Sequence, residues 1–212
     1  MPTPSLKPCI QRFLESENKI TDFTTRSEYF HEARSGNIRV INSRDHYLIV
    51  EIGFLSLMLE WEIFIENVFC RLLCNSKRSS RPQPQLLIGG FTNIETTRST
   101  LHGKVGYVRW IDPSELVRLS QKHFRNGEPF LTPINAAYQQ LDEARIIRNR
   151  IGHSSAKAES AFLTMIQTKY GYSPKAMTPG RFLLDKLATN TLRNEYILYA
   201  RTLTTVAQLI VG

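Results

Sequence analysis

The chain has 212 residues, with 27 Lys+Arg against 19 Asp+Glu for a net charge of +8; 42% of residues are apolar and 22% charged. These are globular proportions that exclude disorder of the whole, and the length permits a single domain with a sizeable core. The positive excess favours polyanionic partners, either nucleic acid or an acidic membrane surface, without choosing between them.

Pro2, Pro4, Lys7 and Pro8 occupy the place where a signal peptide would carry its apolar run, so no leader is expected. Residues 1–40 read as an N-terminal helical extension, with a weakly amphipathic helix over 5–34 closed by Arg34-Ser35-Gly36-Asn37. Residues 43–211 read as the core bundle of a single domain. Its first element, over about 43–75, is too long for a strand, free of proline and apolar around most of its circumference. Within it, Tyr47 to Leu73 is the one membrane candidate, with 19 apolar residues of 27. Glu51, Glu60, Glu62, Glu66 and Arg71 interrupt it, and its longest charge-free stretch, Ile52–Leu59, is eight residues. A span needs about 20 largely apolar residues, so a buried helix is expected and no membrane partner. Glu51, Glu62 and Glu66 return to one side of that helix, either as a solvated edge or as a stripe pairing with arginines of a neighbour.

Three cysteines, Cys9, Cys70 and Cys74, cannot make a disulfide framework in a chain this long. Cys70 and Cys74 are expected as buried core thiols in a reducing, cytoplasmic setting. Residues 75–93 are loop, where Lys77, Arg78 and Arg81 either touch phosphates or sit in a solvated hairpin. Residues 94–112 are ambiguous between a short strand and an irregular crossing. Asp112-Pro113 with Glu115 starts a helix running to about Phe124, and Thr132-Pro133 starts another reaching about Gly152. Further helices follow over 156–170, stopping at Gly171, and over about 191–211, with Leu192, Tyr196, Tyr199, Leu203, Val206 and Ile210 at three- and four-residue steps. The expected fold is all-α: a bundle of five to seven helices with a long central helix and an irregular loop region.

Chemistry concentrates in the helix that ends near Gly152. Ile134, Ala137, Leu141, Ala144 and Ile151 form its core stripe, and Arg148 falls within that stripe, with Arg145 at its edge. Asn149 and His153 flank the stripe four residues apart. A guanidinium keeps its proton and needs an acceptor or water where the pattern predicts core. Either the helix end leaves the core and Arg148 snorkels, or Arg148 and a titratable imidazole face a common anion in a cleft or dimer interface. His31, His46, His102 and His123 have no neighbours that suggest chemistry, and each is expected at the surface or hydrogen-bonded and partly buried. Neither a Gly-rich phosphate loop nor a zinc-binding HExxH helix occurs, so no cofactor or metal is expected.

Arg148-Asn149-Arg150-Ile151-Gly152-His153, after the run Ala144-Arg145-Ile146-Ile147, resembles the signature of the HEPN superfamily. Trp61-Glu62-x-Phe64-x-Glu66 resembles the long second helix of its small stand-alone members. Ser154 and Ser155 depart from the subgroup in which Tyr follows shortly after the His. The resemblance implies a metal-independent endoribonuclease with a composite active site at a homodimer interface, a toxin or anti-phage effector acting on tRNA or mRNA beside an antitoxin or defence partner. It implies proton transfer by His153, scissile-phosphate contact by Arg148, and orientation of His153 or the phosphate by Asn149. Arg145, Arg150 and Ser154 are further RNA-contact candidates: Arg145 on the motif face for flanking phosphate, Arg150 pointing away and expected toward solvent, and Ser154 either a phosphate donor or a structural helix-end residue. Two other readings stand beside it: a non-cutting helical dimer of the same type that binds RNA, nucleotide or a partner protein, and a basic helical module whose motif is accidental.

Overall fold

The structure, a computed structural model, describes residues 4–35, 38–80, 82–88, 90–103, 106–172, 174–187 and 190–212. Nine α-helices occur among them: α1 (Lys7–Glu32), α2 (Ser43–Leu73), α3 (Ile94–His102), α4 (Pro113–His123), α5 (Leu131–Ala136), α6 (Tyr138–Gly152), α7 (Ala156–Tyr170), α8 (Pro179–Leu183) and α9 (Glu195–Val211). Four short strands form two antiparallel pairs, β1 (Arg34–Ser35) with β2 (Ile38–Arg39) and β3 (Lys186–Leu187) with β4 (Asn190–Asn194). The fold is the all-α bundle that the periodicity predicts. The helix count exceeds five to seven because α3, α5 and α8 are short and carry little periodic signal.

Local chemistry explains the boundaries. Asp112 caps α4, its carboxylate accepting from the Ser114 N–H, with Pro113 at the first helical position. Asn93 caps α3 in the same way, which resolves the ambiguous segment into a helix over 94–102. After that helix the chain is irregular and buries Val108, Trp110 and Ile111; Val105 lies outside the described residues. α7 ends on Gly171 in the left-handed region (φ 75°), a conformation that favours glycine. The last helix starts at Glu195, four residues later than expected, because residues 190–194 pair as β4.

The chain divides into two compact units. The first comprises residues 1–15, 60–142 and 202–212. Its core gathers Phe69 against Trp110, Phe124 and Phe130, with ring centroids 5.5, 5.2 and 4.9 Å apart. Leu6 and Phe13 of the N-terminal region are buried in this unit, so that region is more than an appended extension. Cys70 and Cys74 are both buried, the Cys74 Sγ 3.3 Å from the Thr97 hydroxyl. Burial pushes the Cys70 thiol up to about 12, leaving it protonated and inert at neutral pH. Glu66 accepts from Arg98 Nε at 3.1 Å and lies 3.0 Å from His102 Nε2, the arginine-paired alternative for that glutamate.

The second unit comprises residues 16–59 and 143–201. Phe54 packs edge-on against Tyr196 and Tyr199, and Ala144, Ile147, Phe162 and Ile166 are also buried. Glu51 accepts from the Gly180 N–H at 2.8 Å and so caps α8 rather than facing solvent. No helix among the described residues is long and apolar enough to cross a membrane.

Gly180 shows why α8 needs a glycine. A Cβ there would lie 2.5 Å from the Tyr47 carbonyl oxygen and 2.8 Å from the Tyr47 Cβ, inside van der Waals contact with backbone that cannot swing aside. Gly180→Ala should therefore destabilise the protein by about 1–3 kcal/mol, read as a lower urea midpoint with unchanged slope. An unshifted midpoint would show that α8 can move away freely.

Candidate functional site

The motif region belongs to the second unit. α6 follows α5 after a one-residue interruption at Ala137 (φ −112°, ψ 14°), whose N–H still bonds back to Pro133 and Ile134. The expected single helix from Thr132 to Gly152 is therefore two. Ile134, Leu141, Ala144 and Ile147 are buried, while Ala137, Arg148 and Ile151 are half-buried. Ile147, not Arg148, occupies the core position. Arg148 sits at the border of the apolar face, which removes the conflict that a fully buried guanidinium would pose.

The last turn of α6 presents the polar groups. Arg148 Nη1 donates to Asn149 Oδ1 at 3.5 Å, a long bond that holds the amide beside the guanidinium. The His153 N–H donates to the Asn149 carbonyl at 2.9 Å, so the helical hydrogen-bond pattern runs one residue past Gly152. This keeps the four-residue relation of Asn149 and His153 on one side of the helix. His153 is exposed, and its imidazole makes no hydrogen bond among the described residues. Gly152 adds no side chain over this end. Arg148 and Asn149 are thus brought together, and His153 stands next to them on the same terminus with both ring nitrogens open to an incoming group.

The supporting candidates separate. Arg145 is half-buried on α6. Arg150 does not point to solvent as expected: it is half-buried and pairs with Glu159 of α7 at 3.7 Å. Ser154 is exposed in the 153–155 link, where Ser155 caps α7 by accepting from the Ala158 N–H. Lys77 is exposed in the first unit. Arg78 donates to the carbonyls of Ile210, Leu209 and Pro82 at 2.8, 2.7 and 3.1 Å, closing the C-terminus of α9. A guanidinium so occupied is a helix cap first and has few donors left for phosphate. Arg81 lies outside the described residues.

Sequence spacing gave no sign of the largest polar cluster in the same unit. Glu143, one turn before Ile147 on α6, accepts from the Tyr199 hydroxyl at 2.6 Å and from Lys169 Nζ at 3.1 Å. Lys169 also lies 3.0 Å from Glu195 Oε2, without hydrogen-bond alignment. Its ammonium stands over the rings of Phe182 and Tyr199, 5.7 and 5.6 Å from their centroids. Burial pulls the Lys169 pKa down, but Glu143 and Glu195 outweigh it and the net shift is upward. Burial raises Glu195 above the ordinary carboxylate range, with Lys169 opposing it. The hydrogen-bond and ion-pair partners are 26 residues apart or more in sequence, so no motif could reveal them. Their effect on the site is mechanical: they tie α6 to α7 and α9.

The other unexpected histidine is His46, buried with both ring nitrogens unpartnered and stacked on His31 at 4.6 Å between centroids. Burial, with His31 beside it, holds its pKa below the ordinary imidazole value. This departs from the expectation of a surface or hydrogen-bonded, partly buried ring. No group of three or more metal-ligating side chains occurs among the described residues.

Comparison with known proteins found no matching family model, no similar curated protein and no similar solved structure.

Proposed function

We propose that this protein is an endoribonuclease that cuts RNA through the ribose 2′-hydroxyl, using the C-terminal end of α6 and its copy in a homodimer. The observation that carries this reading is the grouping of Arg148, Asn149 and His153 on one helix terminus, with the imidazole in solvent and the guanidinium half-buried beside the amide. The motif's resemblance to the HEPN signature supplies the reaction class. The positive net charge suits a polyanionic substrate.

Attack by the 2′-oxygen on the adjacent phosphate needs a base to take the hydroxyl proton and an acid to protonate the departing 5′-oxygen. An imidazole performs either role near neutral pH. One His153 from each protomer would divide them, one as base and one as acid. The pentacovalent phosphorane carries more negative charge than the diester, and a planar fork of N–H donors stabilises that excess through paired, charge-assisted bonds. Arg148 is the donor placed for this, and the contact with Asn149 restricts its guanidinium to fewer orientations. The products are a 2′,3′-cyclic phosphate and a 5′-hydroxyl, and DNA, lacking the 2′-hydroxyl, is not cut. A role as a toxin or anti-phage effector, with an antitoxin or defence partner, belongs to the same proposal.

The test is incubation of the purified protein with tRNA and mRNA in EDTA, followed by mapping of both ends. Cyclic phosphate and 5′-hydroxyl ends are expected. Arg148→Ala should lower the cleavage rate by on the order of 10²–10³, as for loss of one preorganised anion donor, while the melting temperature stays unchanged. A protein that binds these RNAs but leaves them intact would be a non-cutting binding module. If Arg148→Ala lowers stability instead of rate, its guanidinium serves the fold. Salt-sensitive RNA binding that survives loss of both Arg148 and His153 would mark a basic module with an accidental motif.

A further inference from the structure

The first unit contains a cleft of about 630 Å³ between the loop at 82–85, the turn at 125–129, α5 and Leu209 near the end of α9. That volume lies inside the range of small-molecule sites, about 300–1,000 Å³. Pro82, Pro84, Pro129 and Pro133 are among its lining residues, and their rings offer apolar faces and no N–H.

One turn sets the charges of the cleft. Asn126 (φ 55°) and Gly127 (φ 71°) are successive left-handed residues, closed by the Glu128 N–H donating to the Arg125 carbonyl at 3.3 Å. Asn-Gly is the pair that such a type I′ turn favours. A Cβ on Gly127 would also meet Leu131 Cβ at 3.0 Å, so the turn is held to this sequence. Arg125 and Glu128 flank it, and both line the cleft, yet no ion pair joins them. Arg125 Nη1 donates to Gln85 Oε1 at 3.0 Å, which leaves Nε and Nη2 open. Glu128 Oε1 accepts from the Thr132 hydroxyl, which leaves Oε2 open. Arg78 also borders the cleft, but three of its five N–H donors go to carbonyls, and it feels the Glu128 charge at longer range without an ion pair.

An opposite-charge pair on the lining of a cleft that also carries four prolines selects among ligands. A polyanion would meet the Glu128 carboxylate. A purely apolar ligand would strip water from both charges and replace nothing. A small zwitterion answers both, its carboxylate on Arg125 and its ammonium on Glu128, with an apolar body against the prolines. We propose that this cleft binds a free amino acid with a large apolar side chain, or a dipeptide ending in one. This site is independent of the motif on α6.

Calorimetric titration of the full chain with L-phenylalanine and with leucyl-phenylalanine tests it. Binding is expected with a dissociation constant on the order of 0.1–1 mM, about −4 to −5.5 kcal/mol. Phenethylamine, which lacks the carboxylate, and 3-phenylpropionate, which lacks the ammonium, should each bind at least roughly tenfold more weakly. Arg125→Ala and Glu128→Gln should weaken phenylalanine by a similar factor. Arg125 is exposed and its replacement leaves no buried partner, so Arg125→Ala should melt as the wild type does. Ala136→Trp, which fills the cleft from exposed α5 without touching either charge, should remove binding altogether. The proposal is overturned if none of these amino ligands binds at ~10 mM. It is also overturned if adenosine monophosphate or inorganic phosphate binds as tightly as phenylalanine, or if both charge variants bind like wild type.

Discussion

His153→Ala should lower the single-turnover RNA cleavage rate by about 10²–10⁴, the range for loss of a general acid or base. Its thermal melt and its sedimentation should match the wild type. The second expectation makes the first informative. His153 is exposed, lies one residue beyond the end of α6, and contributes to the fold only through a backbone N–H that alanine retains. A rate loss therefore reports chemistry and not unfolding. In a dimer with one imidazole per protomer, mixing wild-type and His153→Ala chains sharpens the result. If the two histidines divide acid and base work in one shared cleft, the heterodimer loses nearly all activity. If each protomer cuts alone, it keeps about half. A His153→Ala protein that cleaves at the wild-type rate would falsify the assignment of proton transfer to this residue. Cleavage confined to acidic or to alkaline pH, without a maximum between, would likewise contradict a paired acid and base.

What could be read from the sequence followed the range of the signal that carried it. The helix start at Asp112-Pro113 was legible to the residue, because its capping bond joins positions two apart, whereas the equally local caps at Asn93 and Thr178 were not read as such. The three- and four-residue pattern of Tyr196, Tyr199, Leu203, Val206 and Ile210 correctly marked the buried face of α9. The same periodicity put Arg148 within the core stripe, but on α6 the burial of Leu141 and Ala144 is shared by Ile147, and Arg148 falls at the edge of that face. Arg150 was assigned to solvent on helix geometry alone, while its partner Glu159 lies beyond a turn on α7. The glutamates of α2 show the same limit. They share a side of one helix, yet Glu51 caps α8 and Glu66 pairs with Arg98, two partners on different elements. The motif on α6 was legible because its members lie within six residues. The network around Lys169 was not, because it is assembled only when three helices pack.

That network carries the largest expected effect on stability. Lys169→Met should destabilise the protein by about 3–5 kcal/mol, the range for stranding a buried charge by removing its partner. Methionine keeps most of the volume and the contact with the Phe182 and Tyr199 rings, so the loss is electrostatic. Glu143 and Glu195 are nearly fully buried, and Lys169 is the cation paired with both in the structure. Without it, two carboxylates face each other across the space it filled, while the Tyr199 hydroxyl still donates to Glu143. The pH dependence fixes the sign. Glu195 already titrates above its ordinary value, so the folded state holds that proton more tightly than the unfolded chain does. Its ionisation therefore opposes folding at neutral pH. The penalty disappears as pH falls through the folded pKa toward the unfolded value near 4.3. Removing Lys169 raises the folded value further, so the deficit of Lys169→Met relative to wild type should be greatest at pH 7 and shrink by pH 5. Adding Glu195→Gln should recover much of the loss at pH 7 and make the remainder less sensitive to acid. A deficit under about 1 kcal/mol would place this ion group among those worth little to the fold, and a larger one that ignores pH would trace to packing. α6 carries both Glu143 and the motif residues, so an unlocked network should also slow RNA cleavage below the melting temperature, by loosening the helix on which Arg148 and His153 are aligned.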